Sequence, residues 1–363
     1  MPREGEIISF LRRRSNRAAG LLTGIGDDAA VFEVGPGKQL IACCDLLIEG
    51  VHFRSPWSRL MGRKALAVNL SDVAAMSGVP RYALLSIAFP AGASDGFVQS
   101  LLETLQGGLD LYGVSLIGGD TSRSPGPMFI DVSVIGACEG WRAVLRGGAR
   151  PGDAIYVSGS LGGSALGLML LDRRVQEQRF SEQTEIDDLI GIARLSKAIS
   201  DELDSSDEEL AQGIEQSLRK HLVPEPRLEL GAALGREGLA TSMIDISDGL
   251  STDLGHLADE SGCGAAIRAG SIPIAPCALQ SRLSVEFNIE PLQLALHGGE
   301  EYELLFTVRP SDEDRLSEVA RKCGIAVTRI GDIVGGNELT LVMDGSVEIL
   351  ERKGYEHDLS AEF

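Results

Sequence analysis

Apolar residues dominate the stretch from Gly62 to Pro80, and their spacing predicts a helix. Ala, Leu, Val and Met occupy nearly every side of that helix, which is typical of a buried element. Gly78, with a proline two residues later, indicates where the helix ends. Asp72 interrupts the apolar surface, since the residues one turn away from it are Val68, Asn69, Ala75 and Met76.

A carboxylate at Asp72 needs a partner, because burying an unpaired charge is costly. Lys64 lies eight positions earlier and is expected to point elsewhere. Two interpretations remain at this stage. Asp72 either accepts hydrogen bonds from the N–H groups of a neighbouring loop or binds a metal ion.

The rest of the chain predicts alternating strands and helices in two domains. Residues 1–147 contain a glycine turn that ends at Asp28, a β-hairpin, the buried helix, further strands and a second helix. A glycine-rich linker at 147–153 leads into residues 148–363, which contain further strands and helices. The predicted fold class is therefore α/β in the first domain and α+β in the second.

Residues 171–220 differ in composition from their surroundings. They contain 13 acidic and 7 basic residues, show helical spacing and have almost no strand-forming residues. We interpret this segment as an exposed, acidic helical insertion in the second domain, partly mobile.

Acidic residues recur where a predicted strand or turn ends. The set consists of Asp28, Asp45, Asp120, Asp245, Asp248 and Glu300. Each one taken singly is more typical of a cap than of a ligand. Several that converge would repel one another by about 4 kcal/mol per pair at 4 Å. A cation would then be required, and oxygen ligands without a His or Cys cluster favour Mg²⁺.

The net charge of −20 argues against nucleic acid and anionic membranes as partners. The six cysteines form no C-x-x-C pair, which is typical of free thiols in a reducing compartment. The first residues show no signal peptide and no stretch is apolar enough to span a bilayer. We therefore expect a cytoplasmic protein.

Common phosphate-binding motifs are absent from the sequence. There is no P-loop and no protein-kinase signature. Gly159, Gly162 and Gly163 between a strand and a helix could bind phosphate, although a plain turn explains them equally well. Arg146, just before the linker, either reaches a nucleotide or is a solvated surface residue.

Six ordered motifs resemble thiamine-monophosphate kinase. They are GIGDDAAV at 24–31, EGVHF at 49–53, KALAVNLSDVAAMSGVPR at 64–81, IGGDTS at 117–122, DISDGLSTDLGHL at 245–257 and GGEEYELLF at 298–306. That family is grouped with aminoimidazole ribotide synthetase, selenide-water dikinase and the hydrogenase-maturation dehydratase. The resemblance runs from about residue 4 to residue 357, except for 171–220.

The resemblance implies an aminoimidazole-ribotide-synthetase-like fold with an N-terminal sheet domain that dimerises and a C-terminal α+β domain. It implies phosphoryl transfer from ATP to thiamine monophosphate, giving ADP and thiamine diphosphate, in a homodimer that uses several Mg²⁺ ions. The metal ligands that it implies are Asp28, Cys43, Cys44, Asp45, Asp72, Asp120, Asp245 and Asp248. The implied nucleotide contacts are Gly119, Asp120, Arg146 and Ser247. The implied substrate contacts are His52, Glu300 and Tyr355, and catalysis would rest on Asp72, Asp120 and Arg146.

Three positions depart from the family pattern. Cys43 and Cys44 stand where hydroxyl residues are usual, and thiols are poor Mg²⁺ ligands, so backbone carbonyls would have to serve there. Glu301 replaces an aspartate after Glu300. The last aromatic of the terminal motif is missing, which leaves Tyr355 as the expected aromatic contact to thiamine.

Two other functions are considered beside the kinase. One is a sister ATP-dependent synthetase of the same fold, acting on an amidine or acyl substrate. The other is a non-catalytic relative that binds nucleotide, which the Cys43–Cys44 change would allow and the retained aspartates disfavour. A Ca²⁺-binding protein is disfavoured because no D-x-D-x-D-G loop is present.

Overall fold

The structure is a computed structural model, and it describes residues 4–14, 19–179, 186, 188–203 and 208–357. The helices are α1 Glu4–Arg14, α2 Met61–Ala75, α3 Asp95–Tyr112, α4 Gly163–Gln176, α5 Leu189–Glu202, α6 Glu208–Leu222, α7 Leu228–Arg236, α8 Leu250–Ser261, α9 Ser281–Glu286, α10 Pro291–His297 and α11 Glu313–Cys323. The strands are β1 Leu21–Thr23, β2 Ala30–Gly35, β3 Lys38–Ile48, β4 Val79–Pro90, β5 Ser115–Ser124, β6 Phe129–Glu139, β7 Ala154–Ser158, β8 Ala240–Asp245, β9 Gly264–Arg268, β10 Leu304–Val308, β11 Val327–Val334, β12 Leu339–Met343 and β13 Ser346–Ile349.

Helix α2 is buried almost completely, as its apolar surface predicts. One side packs on β3 and β6 of the first sheet, and another packs on α7 and β8 of the second half of the chain. Gly231 of α7 lies so close to the Ala74 carbonyl oxygen that any side chain there would collide with it. The helix ends at Ala75, and the chain turns through Gly78 into β4.

The first sheet has six strands in the order β1-β2-β3-β6-β4-β5. All neighbours are antiparallel except β4 and β5, which are parallel. Helices α2 and α3 cover one face, with α3 packed on α2. Strand β5 forms the edge, and almost every residue in it is exposed.

The second sheet has seven strands in the order β13-β12-β9-β11-β7-β10-β8. Its central strands β7 and β10 are buried at every position. Helix α8 packs on it beside β8 and β9, and α7 packs against α11 on another side. Strands β9 and β13 did not follow from the sequence.

Helices α5 and α6 correct the interpretation of 171–220 as an exposed insertion. Helix α6 packs on α4 and α5, and its buried side chains join the same hydrophobic core as the first sheet. Leu210, Ile214 and Leu218 are spaced four residues apart and bury one face, while Glu208 and Glu209 in the first turn are exposed. Residues 180–185, 187 and 204–207 lie outside the described residues.

Two strand ends also differ from expectation. Strand β3 continues through Asp45 to Ile48, so Asp45 lies within a strand. Strand β5 runs through the whole glycine motif at 118–122, which was predicted to follow a strand. Both strands are longer because their register with β6 and β4 is maintained over these residues.

The mixed two-sheet architecture confirms the predicted fold class. The domain boundary between residues 147 and 148 falls between the last strand of the first sheet and the first strand of the second, and it stays a prediction. Among the described residues, no helix has the length and hydropathy required to cross a bilayer.

Because one face of α6 is buried, shortening a side chain on that face should destabilise the protein. Ile214 is fully buried, so Ile214→Ala should lower the free energy of unfolding by about 2–5 kcal/mol in urea denaturation. Gln216→Ala, on the exposed face of the same helix, is the matched control and should change it little. Equal effects of the two substitutions would instead support the interpretation of residues 171–220 as an exposed insertion.

Candidate active site

Three carboxylates from distant parts of the sequence meet between the two sheets. They belong to Asp28, Asp72 and Asp245, and one oxygen of each lies within 4.8 Å of the others. Asp28 precedes β2, Asp72 lies on α2 and Asp245 is the last residue of β8. The metal interpretation of Asp72 therefore has the geometric support that the sequence alone could not provide.

Burial and mutual repulsion act on this acidic cluster together. Burial raises the pKa of Asp245 to about 8, and repulsion by Asp28 adds to the effect. Burial also raises the pKa of Asp72 well above its ordinary value, followed by repulsion from Asp45 and Asp245. The cluster therefore favours bound protons or a cation over three bare charges.

Two neighbours offset part of the charge of the cluster. The Ser71 hydroxyl donates to Asp245 Oδ2 at 2.5 Å, from the residue that precedes Asp72 on α2. The Arg146 Nη2 atom lies 2.6 Å from Asp28 Oδ1, and the backbone N–H of Arg146 donates to the Asp27 carboxylate. Arg146 is thus an ion-pair partner of the cluster and not a solvated surface residue.

Two further predicted ligands surround the cluster. Asp45 reaches solvent in part, yet partial burial and then repulsion by Asp131 raise its pKa to about 6. Burial, followed by repulsion from Glu4, raises the pKa of Asp248 to about 6. The Cys43 thiol donates to the Asn69 carbonyl oxygen, and burial, followed by repulsion from Asp72, raises the pKa of Cys43 well above its usual value.

The candidate ligand atoms of Asp28, Asp72 and Asp245 fit a hard divalent cation such as Mg²⁺. All are carboxylate oxygens, and Asp28 Oδ2 is buried with no hydrogen-bond partner among the described residues. A bound cation would remove the repulsion that raises the pKa values of Asp72 and Asp245.

A second group of side chains lies next to this cluster. The rings of His52 and His357 are 5.2 Å apart, and the ring of Tyr355 is 4.9 Å from that of His357. His52 Nδ1 accepts the Ile48 N–H at 3.0 Å, and the Tyr355 N–H donates to the Asp248 carbonyl. Two of these three ring residues, His52 and Tyr355, were predicted as substrate contacts, and the third predicted contact, Glu300, lies near enough to act electrostatically on both.

Glu300 is held by partners that the sequence analysis missed. Lys64 Nζ lies 2.8 Å from Glu300 Oε1, and His221 Nδ1 lies 3.3 Å from Oε2. Burial would raise the pKa of Glu300, but Lys64 and then His221 hold it below its usual value. Lys64 therefore points into the site, contrary to expectation.

Ser247 and Glu301, which the sequence analysis also considered, contact other residues of the protein next to Glu300. The Glu300 N–H donates to the Ser247 carbonyl at 2.7 Å, which places Ser247 beside Glu300. Glu301 instead pairs with Lys220 at 2.7 Å and accepts the Ser164 N–H, so it anchors α6 and α4.

The place of Cys44 in β3 agrees with the expectation that its thiol is not a metal ligand, and a contact through its backbone carbonyl stays a prediction. Successive residues of a strand point to opposite faces, so Cys43 and Asp45 face α2 while Cys44 faces away. The Cys44 side chain is exposed. Its thiol does not belong to the acidic cluster.

Asp120, like Cys44, lies on the outer face of the first sheet, which is the face directed away from α2. Asp120 pairs with Ser86 of β4, Ser86 pairs with Asp131 of β6, and Asp131 pairs with Leu46 of β3. Paired residues share a face, so Asp120 lies opposite to Asp45 and three strands away. Within one chain the structure does not bring Asp120 to the cluster, and its role stays a prediction.

Gly119 has a packing requirement of its own. Its φ is +153°, and a side chain there would collide with the Leu85 carbonyl oxygen of β4. The close approach of β4 alone accounts for a glycine at this position. The contact of Gly119 with a nucleotide stays a prediction.

Two family models match the chain. The model described as AIR synthase related protein, N-terminal domain, matches residues 26–138, and its C-terminal domain counterpart matches residues 150–344. The fold and the acidic cluster between its two sheets thus define an AIR synthase related protein.

Curated relatives narrow this class. A thiamine-monophosphate kinase of Buchnera aphidicola is 36% identical over 98% of both chains. That of Escherichia coli K12 is 36% identical over 96% of this chain and 95% of its own, and that of Bacillus subtilis is 31% identical over 98% and 99%. The chain belongs to the thiamine-monophosphate kinase family, which confirms the resemblance.

Solved structures agree with this assignment. The structure of AaThiL complexed with AMPPCP and TMP is 29% identical, with a TM-score of 0.77 over 98% of this chain and 97% of that chain. The thiamine-monophosphate kinase of Stenotrophomonas maltophilia K279a is 33% identical, with a TM-score of 0.68 over 94% and 96%.

The raised pKa values predict how stability depends on pH without divalent cations. Between the unfolded value near 4 and about 8, folded Asp245 holds more protons than the unfolded chain, so stability falls as pH rises. Asp245→Asn should remove up to about 1.4 kcal/mol per pH unit of that slope in urea denaturation with EDTA.

Asp314→Asn, exposed on α11, is the matched control and should keep the wild-type slope. Saturating Mg²⁺ should also flatten the wild-type slope, because binding to ionised carboxylates becomes stronger as pH rises. A wild-type slope that neither Asp245→Asn nor Mg²⁺ changes would contradict the description of the cluster.

Proposed function

We propose that this protein transfers the γ-phosphoryl group of ATP to thiamine monophosphate, giving thiamine diphosphate and ADP. The observation that carries the proposal is the position of the acidic cluster beside the group formed by His52, Glu300 and Tyr355. Family membership, and the AMPPCP and TMP in the related AaThiL complex, support the same reaction.

The cluster suits phosphoryl transfer between two anions. Asp28, Asp72 and Asp245 would hold Mg²⁺, with Asp45 and Asp248 beside them. When bound, Mg²⁺ would neutralise charge on the transferred phosphoryl group and its neighbours. Arg146 would contribute a fixed positive charge next to Asp28. The acceptor is already an anionic phosphate oxygen, so positioning and charge neutralisation carry most of the catalysis.

The acceptor would lie against His52, Glu300 and Tyr355. Because His52 Nδ1 accepts the Ile48 N–H, its proton in the neutral form is on Nε2, where it can be donated to a ligand. Burial and the neighbouring His357 lower the pKa of His52, which favours this neutral form. Tyr355 remains about half exposed and can supply an aromatic surface.

We further propose a homodimer formed by the outer face of the first sheet. Leu46 and Tyr82 are both nearly half exposed on that face, and β5 is an edge strand with Ile117 exposed. Exposed apolar side chains beside an unpaired edge are typical of an interface. Asp120 lies on this face, so a partner subunit would cover it.

The direct test of function is product formation from ATP and thiamine monophosphate, followed by chromatography with and without Mg²⁺. Thiamine diphosphate should appear only with Mg²⁺. Asp72→Asn should lower kcat by about 10²–10³-fold, because one carboxylate of the cluster is lost. Asp314→Asn should retain wild-type activity, and wild-type protein that forms no product would refute the proposal.

The dimer is tested by sedimentation of a charged variant. Tyr82→Asp places a carboxylate on the outer face and should shift the protein from dimer to monomer. Val285→Asp, at an 83% exposed position on α9, is the control and should leave the dimer intact. A monomeric wild-type protein would refute the homodimer.

A further inference from the structure

Asp253 is a buried carboxylate to which the proposed reaction assigns no role. It lies in the first turn of α8 and is 2% exposed. One of its oxygens, Oδ2, accepts the N–H of Asp248 at 3.1 Å and the N–H of Gly249 at 3.0 Å. Asp253 therefore supports, from the buried side, the turn that carries the predicted metal ligand Asp248.

This turn has a backbone conformation that needs support. Gly249 precedes the first residue of α8 with a φ of +120°, and a side chain there would meet the His297 carbonyl oxygen. A glycine at this place has no side chain that could cap the helix, so the N–H groups before the helix need a hydrogen-bond acceptor from elsewhere. Asp253 supplies it by reaching back along the helix, as the acidic residue of a capping box does.

The backbone segment 246–248, just before this turn, carries three further hydrogen bonds. Its consecutive carbonyl oxygens each accept one N–H from a segment of the site: Ile246 from Tyr302 at 2.8 Å, Ser247 from Glu300 at 2.7 Å and Asp248 from Tyr355 at 2.9 Å. Glu300 and Tyr302 have φ values of +58° and +52°, which residues with a side chain rarely adopt unless their surroundings hold them. The segment 246–248 therefore acts as a scaffold for two of the predicted substrate contacts, Glu300 and Tyr355.

The same turn of α8 also holds the C-terminal segment. The Thr252 hydroxyl accepts the Gly354 N–H at 3.0 Å. A side chain at Gly354 would collide with the Asp248 carbonyl oxygen, so the C-terminal segment lies directly on the turn. A displacement of this turn would therefore move Tyr355 together with Asp248.

We propose that Asp253 is a positioning residue that fixes the segment 246–249, so that Asp248, Glu300 and Tyr355 are presented to the site in one arrangement. The inference rests on the proposed function in taking Glu300 and Tyr355 as substrate contacts. The hydrogen bonds of Asp253 carry this role, because a single oxygen accepts both N–H groups. The cation site and the substrate site are thereby assembled on one piece of backbone.

Hydrogen exchange followed by mass spectrometry tests this scaffold without turnover. Asp253→Ala removes the hydrogen-bond acceptor and should make exchange in peptides covering 246–250 and 353–356 about 10–100-fold faster, with exchange in β7 and β10 unchanged. Asp253→Asn keeps an oxygen that can accept both N–H groups and should exchange as the wild type does. Asp314→Ala, at an exposed position on α11, is the matched control and should also exchange as the wild type does.

Mn²⁺ binding, followed by electron paramagnetic resonance, separates the positioning of Asp248 from a purely structural role. Asp248→Asn removes the ligand and Asp253→Ala misdirects it, so each should weaken Mn²⁺ binding about tenfold. The double variant should bind no more weakly than either single variant, because both substitutions act through one carboxylate. Asp253→Asn and Asp314→Ala should bind Mn²⁺ as the wild type does.

A third variant distinguishes the position of the Asp253 oxygen from its charge. Asp253→Glu keeps the charge and displaces the oxygen by one methylene group, so it should weaken Mn²⁺ binding as Asp253→Ala does. If Asp253→Ala does not fold, Asp253→Glu and Asp253→Asn provide the same comparison.

Three results would overturn the inference. They are wild-type Mn²⁺ affinity in Asp253→Ala or Asp253→Glu, a loss in Asp253→Asn as large as that in Asp253→Ala, and additive losses in the double variant. Wild-type protein that forms no thiamine diphosphate, while the variants give the expected exchange and Mn²⁺ binding, would refute the proposed function alone.

Discussion

Repulsion among three carboxylates, one on a buried and two on half-buried residues, is the constraint on which the rest of this structure depends. Asp28, Asp72 and Asp245 come within 4.8 Å of one another, where water cannot screen them well. Ser71 and Arg146 offset only part of the charge. Such a cluster between two sheets favours a bound cation, and a bound cation would in turn permit an anionic substrate.

Helix α2 links this cluster to everything around it. It is packed on the first sheet, on α7 and on β8, so its orientation is set by both halves of the chain. From one rigid element it supplies Asp72 to the cluster, Ser71 to Asp245 and Lys64 to Glu300. This arrangement makes the site a property of the contact between the two sheets.

The sequence predicted the chemistry of the site better than its geometry. Asp72 was identifiable because a carboxylate in an apolar helix needs a partner. Asp120 was harder, since the face on which a strand residue lies depends on register, and β5 proved longer than its apolar pattern indicated. Lys64 was missed because its partner, Glu300, is 236 positions away in the sequence and only the fold brings them together.

Helix α6 shows a different limit of sequence reasoning. Its acidic composition suggested exposure, yet Leu210, Ile214 and Leu218 recur with helical spacing and bury one face. The periodicity was present in the sequence, and the overall charge outweighed it in the interpretation. Its last turn supplies Lys220 to Glu301 and His221 to Glu300, so this helix takes part in the site.

The central claim is that the cluster exists to hold a divalent cation, and Mn²⁺ binding followed by electron paramagnetic resonance tests it most directly. Mn²⁺ prefers the same oxygen ligands as Mg²⁺ and is observable without turnover. The account predicts that the wild-type protein binds Mn²⁺ and that Asp28→Asn and Asp245→Asn each weaken binding at least about tenfold, as expected for the loss of one charged ligand. Wild-type protein that binds no Mn²⁺, or variants that bind it equally well, would contradict the account.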